Sequence, residues 1–152
     1  MKYTRLSLQD LKDLEKEFVE FLIINGITAD EWEKIKSKDK NKTEKIIEQF
    51  SDVVWEGILR RHSIVEKRSE NKLTLCKVEN GQLVTLYIQA DEDTDFTQES
   101  VIDKVLKSGR FDLKSQTTLI EEEDNIQLFK LLQLGFYLSN KEAYNMLFQN
   151  NK

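Results

Sequence analysis

The segment Ile46-Ile-Glu-Gln-Phe-Ser-Asp-Val-Val-Trp-Glu-Gly-Ile-Leu59 reads as a helix and marks where the chain changes character. Ile46, Ile47, Phe50, Val53, Val54 and Ile58 recur at three-and-four spacing, which lays one apolar stripe along a helix. Trp55 and Leu59 widen it. A stripe that broad needs partners on more than one side, so the segment is expected to be a central, mostly buried helix. Arg60, Arg61 and His62 follow directly, and from Ile64 onward the apolar period falls from helical to two. The element therefore joins a helical front half to a sheet.

Upstream, Ser7 with Asp10 resembles a capping box. Leu8, Leu11, Leu14, Phe18, Phe21 and Leu22 then form a stripe that ends at Asn25-Gly26, a C-terminal stop. One helix is expected there. Thr28 with Glu31 opens a second over about 29–36, with Trp32 and Ile35 inward. The lysines at 34, 36, 38, 40, 42 and 45 read as a solvated connection to the central helix rather than as an anion patch.

Downstream, Asn80-Gly81 is a strong hairpin signal because both turn positions require positive φ. With that turn, Val78 faces Leu83, Cys76 faces Thr85 and Thr74 faces Tyr87. Leu73, Leu75, Val84, Leu86 and Ile88 share the other face. Ile64 to Arg68 is expected to add a third antiparallel strand. A helix over about 97–108 carries Val101, Ile102, Val105 and Leu106 inward and stops at Gly109. Residues 111–120 fit either strand or loop. A helix over about 122–134, with Ile126, Phe129 and Leu132 inward, breaks at Gly135. Ser139 with Glu142 then caps a last helix holding Ala143, Met146, Leu147 and Phe148.

The totals bound the class. A chain of 152 residues is expected to be one domain burying roughly 70% of its unfolded surface. It contains no proline, so no Pro-rich linker divides it. Apolar residues make up 39% and charged residues 34%, a balance that fits long surface helices around a modest core. A net charge of −5 argues against general nucleic-acid binding. The lone Cys76 rules out an internal disulfide and a multi-cysteine metal site. No apolar run approaches the ~20 residues that cross a bilayer, and no signal-peptide pattern opens the chain, so a cytoplasmic protein without a membrane partner is expected.

Candidate chemistry is sparse. Asp91, Asp93 and Asp95 have the opening spacing of a calcium loop, but Phe96 and Ile102 stand where the sharp turn and the bidentate carboxylate belong. Acid leading into a helix has its own cause in the helix dipole, which also accounts for Glu121-Glu-Glu-Asp124. Arg60, Arg61 and His62, with Arg68 on the next strand, form a candidate anion site, since the planar guanidinium binds phosphates and carboxylates in a fork. Cations at a helix C-terminus are equally favoured by the dipole alone. Cys76 beside His62 would need a depressed thiol pKa to act as a nucleophile. No metal cluster, nucleotide loop or serine-hydrolase elbow occurs, so neither a metal nor a cofactor is expected. Trp32, Trp55, Phe136, Tyr137 and Tyr144 would mark an interface wherever they lie exposed; as aromatics at helical spacing they are expected in the core.

Met1-Lys-Tyr-Thr-Arg-Leu-Ser-Leu8, Phe21-Leu-Ile-Ile-Asn-Gly-Ile27, Asp30-Glu-Trp32 and Ser51-Asp-Val-Val-Trp-Glu-Gly-Ile-Leu-Arg60 together resemble a family of small bacterial proteins known only as a domain of unknown function. The resemblance implies a bacterial, cytoplasmic origin and brings no site residues. The sequence as a whole predicts a single α+β domain, with a helical front (7–61), a small antiparallel sheet of two to three strands (63–90) and a helical back (97–149). It leans away from an enzyme and toward a protein-interaction or adaptor module, with an unknown protein partner or a homodimer. The alternative is a small-anion or nucleotide-binding protein, with catalysis open, that uses Arg60, Arg61, His62 and Arg68. A single nucleic-acid strand on the Tyr87 face is a weaker option.

Overall fold

The computed structural model describes residues 1–98, 100–139 and 144–147. The chain divides into two compact units, 1–58 and 59–152.

The first unit is helical. Ser7 accepts the Asp10 N–H at 3.1 Å and opens α1 (Leu8–Asp13). The expected single first helix is interrupted at Leu14, whose ψ of 24° departs from the helical value before α2 (Glu15–Ile24) resumes. α2 ends in a Schellman motif: the Gly26 N–H reaches the Ile23 carbonyl and the Ile27 N–H the Leu22 carbonyl, at 3.0 and 2.9 Å. Gly26 supplies the positive φ of 75° that this turn needs. Thr28 caps α3 (Ala29–Lys38) through the Glu31 N–H, as its spacing predicts.

α4 (Lys40–Arg60) begins well before Ile46, and the expected lysine-rich connection shrinks to Asp39. Asp39 accepts the Lys42 N–H at 3.0 Å and thereby caps the longer helix. Phe50 is buried against Phe18 and Phe21, with ring centroids 4.9 and 5.4 Å away, and Trp32 meets Phe18 edge-on at 5.1 Å. Val53 corrects the stripe reading, being 56% exposed, while Val54, Trp55 and Ile58 are only half-buried.

Residues 1–6 run as an extended strap against α4, a feature without a sequence signature. The Lys2 and Tyr3 N–H groups both donate to the Asp52 carboxylate, and the Leu6 N–H donates to the Ser51 hydroxyl at 2.9 Å. Ser51 is wholly buried and its hydroxyl donates a hydrogen bond to the Ile47 carbonyl at 2.7 Å. Tyr3 donates to Glu56; burial and that carboxylate push its pKa up to about 12.

The second unit is built on a five-stranded antiparallel sheet, where two to three strands were expected, in the order β4 (Phe111–Leu119), β3 (Gln82–Ala90), β2 (Lys72–Glu79), β1 (Ile64–Arg68), β5 (Tyr137–Leu138). β1 (Ile64–Arg68), β2 (Lys72–Glu79) and β3 (Gln82–Ala90) form the predicted meander. Val78 faces Leu83, Cys76 faces Thr85 and Thr74 faces Tyr87, as the turn dictates. Asn80 and Gly81 take φ of 54° and 76°, the paired positive values of a type I′ turn.

The added strands come from the segment read as a helical back. After α5 (Val101–Ser108), closed by Gly109 at φ 69°, β4 (Phe111–Leu119) returns beside β3. After α6 (Asp124–Gln133) and the turn at Gly135, β5 (Tyr137–Leu138) pairs with Val65 and Glu66. Both helices start later than expected, at Val101 and Asp124.

Leu73, Leu75, Leu86 and Ile88 pack on one sheet face with Phe96, Ile102 and Val105 and with Tyr144 and Leu147 of a helical turn at 144–147. The other face buries Val65, Cys76 and Val78 beneath α6, which approaches β1 and β2 with Leu128, Phe129 and Leu131 buried. That stripe sits one residue off the expected Ile126–Phe129–Leu132 set, of which Ile126 and Leu132 are half-buried. Asp124 ties α6 to the hairpin by accepting the Gly81 N–H at 3.0 Å. The expected capping of the last helix by Ser139 with Glu142 falls on Glu142, which with Ala143 and Phe148 lies outside the described residues.

Candidate functional site

The predicted anion cluster is divided, with Arg60, Arg61 and His62 at one end of β1 and Arg68 at the other. Arg60 and Arg61 are exposed at the end of α4, and His62 is half-buried, its N–H donating to the Leu59 carbonyl at 3.3 Å. Arg68 stands at the far end of β1, roughly 13 Å beyond Ile64 at about 3.3 Å per strand residue. Its Nε donates to Glu66 at 2.9 Å and its Nη1 to the Phe96 carbonyl at 3.2 Å. The fork expected to grip an anion instead holds the loop before α5 against the sheet.

The remaining chemical candidates have structural occupations. Cys76 is buried with its Sγ 3.9 Å from the Thr85 hydroxyl, and burial pushes the thiol pKa up, opposite to what a nucleophile needs. Asp95 accepts from the N–H and hydroxyl of Thr97, which hold its carboxyl below the usual range. Glu122 pairs with Lys130, and Asp124 is spent on Gly81. Among the described residues no group of three or more His, Cys, Asp or Glu is placed to hold a metal ion. None of those residues belongs to a helix long and apolar enough to cross a membrane. Of the aromatics, Trp32, Trp55 and Phe136 are half-buried, Tyr144 is buried, and Tyr137 is 45% exposed.

What the structure assembles instead is an open sheet margin along β4. Its register with β3 runs unbroken from Ala90↔Phe111 to Gln82↔Leu119, without a bulge. Phe111 and Leu113 are half-buried against the core, whereas every residue from Lys114 to Leu119 is exposed. Leu119 is 76% exposed. In an antiparallel strand alternate residues turn both N–H and C=O away from the paired neighbour. Among the described residues no strand pairs with the outer side of β4.

Beside this margin the sheet face not lined by the α5 core carries the cross-strand row Lys67–Thr74–Tyr87–Lys114. Lys72, Gln89 and Asp112 join it around a shallow groove of about 310 Å³, in which Tyr87 is 45% exposed. Lys67 is committed elsewhere: its ammonium donates to the Leu134 carbonyl and lies over the Phe136 ring. The arrangement offers backbone hydrogen bonds and a polar rim.

Residues 111–120, ambiguous between strand and loop by sequence, do carry a strand signal. Phe111, Leu113, Ser115, Thr117 and Leu119 alternate with polar residues just after Gly109, a period-two pattern with β-favouring threonines. Its apolar content fades toward the C-terminal end, as it must on a strand that leaves the core.

No curated protein and no solved structure matches the chain. One family does, over residues 1–152: the chain belongs to the family of unknown function DUF6495.

Proposed function

We propose that the protein is a non-enzymatic interaction module, cytoplasmic and of bacterial origin, that recruits a protein strand onto β4. The observation that carries this reading is a nine-residue edge strand whose outer side pairs with no strand among the described residues. Proteins ordinarily protect such edges with proline, a bulge, several charges, a very short strand or a covering element. β4 has no proline and no bulge, and carries only Asp112 and Lys114 as charges. Strand addition draws its affinity from main-chain hydrogen bonds and its specificity from alternate side chains, and both are available here. The two units are read as one working domain because a single family spans both.

A photo-crosslinking residue at Thr117, introduced in cells with the same residue at exposed Asp93 as control, tests the reading. Adducts at 117 should map by mass spectrometry to one contiguous strand-length segment of a protein. Adducts absent, or scattered as at 93, would sink it.

A further inference from the structure

The strand that β4 accepts can be named by its chemistry, on the footing of the edge reading above. We infer that it is β4 of a second copy of this chain, paired antiparallel about a twofold axis at Ser115. The result is one continuous sheet running through both copies.

An isologous contact must be complementary to itself, and the side chains of β4 meet that condition in one register. Centred on Ser115, the whole strand is paired. Phe111 then faces Leu119 of the second copy, giving the exposed leucine an apolar partner at each end of the contact. Asp112 faces Thr118, Leu113 faces Thr117, Lys114 faces Gln116, and Ser115 faces its own counterpart. No like charges meet. Shifting the axis to Lys114 keeps the faces aligned but sets two ammonium groups opposite one another, which is unfavourable. Shifting it to Gln116 brings Phe111 against Glu121 and Asp112 against Ile120. The uncharged run from Ser115 to Leu119 is therefore what a self-pairing strand requires, and what a strand kept single would avoid.

Because residue 115 meets only itself, charge at that position distinguishes self-pairing from every other occupancy. Sedimentation velocity over a concentration series should show the wild type as a dimer. Ser115→Lys and Ser115→Glu should each weaken association by about fivefold, the size of one like-charge cross-strand pair. An equimolar mixture of the two should recover wild-type association as a heterodimer. The position is exposed, so circular dichroism should be unchanged. If lysine at 115 does disturb folding, Gln116→Lys, whose ammonium would face Lys114 of the second copy twice over, reports on the same register from the opposite face. A wild type that stays monomeric, or variants that dimerise without loss, overturns the inference. Monomeric protein that still crosslinks from 117 into a segment of another protein removes the second copy and leaves the edge reading intact. Monomeric protein with no such adducts removes both.

Discussion

The sheet has two margins, and they are treated in opposite ways. At the β5 margin the strand is two residues long, and the backbone leading into it turns at Gly135 with φ 98°. Lys67 of β1 stands there with its ammonium on the Leu134 carbonyl, and the Ser139 N–H closes on the Ile64 carbonyl at 3.0 Å. At the β4 margin nine residues pair without a bulge, the last six of them exposed, and among the described residues no strand lies on the outer side. A strand edge is a template for further pairing, so leaving one long edge open while closing the other assigns the two margins different duties. The β5 side finishes the fold, and on the proposal made above the β4 side is where a further strand is added.

The largest perturbation removes the common support of both margins. Leu75 is fully buried at the centre of the sheet, and Leu75→Ala should cost about 3 kcal/mol through lost transfer energy and a residual cavity, read as a lower urea midpoint. Hydrogen exchange should then accelerate at β4 and β5 together; acceleration at one margin alone would mean that the margins are not supported by the same core.

A smaller change separates them. Gly135→Val forces a branched side chain into positive φ, worth roughly 1–3 kcal/mol of backbone strain, while the nearest atom an added Cβ meets, Lys67 Nζ, stays at an ordinary 3.5 Å. The Ser139 amide should exchange faster with the β4 amides and the association state unchanged. Equal loosening of β4 would contradict the division of duties.

The smallest effect is electrostatic and confined to high pH. Burial, aided by Glu79, pushes the Tyr144 phenol from 10.0 up to about 12. Between pH 10 and 12 the unfolded chain has released a proton that the native state keeps, so stability is full below about 10 and falls as pH rises toward 12. Tyr144→Phe should flatten that fall in alkaline denaturation curves. An unaltered slope would show that the Tyr144 ring does not titrate from within the sheet core.

Legibility followed the range of the interactions. The Asn80-Gly81 turn and its register, the caps at Ser7 and Thr28 and the stops at Gly26 and Gly109 all come from neighbours within a few residues, and each appears as its spacing predicts. Boundaries failed where a local signal competed with a weaker one. Lysines disguised the first turns of α4, and a fading apolar alternation disguised β4. Arg68 parts from Arg60, Arg61 and His62 for a different reason: the run looks compact on paper, but β1 is extended and carries Arg68 away to Glu66 and Phe96.

By itself, then, the sequence determined the helical front, the β1–β2–β3 meander, the alternation of its faces and the absence of a legible catalytic motif. Each of these is written in short-range periodicity, capping chemistry and residue type. Only the tertiary structure decided that Val65 pairs with Leu138, that residues 1–6 lie along α4, that Asp124 closes on Gly81, and that β4 is left as the open edge. These contacts join residues tens of positions apart, and backbone groups in every strand are chemically alike. Which of them remain unpaired is settled by how the whole sheet is ordered and covered.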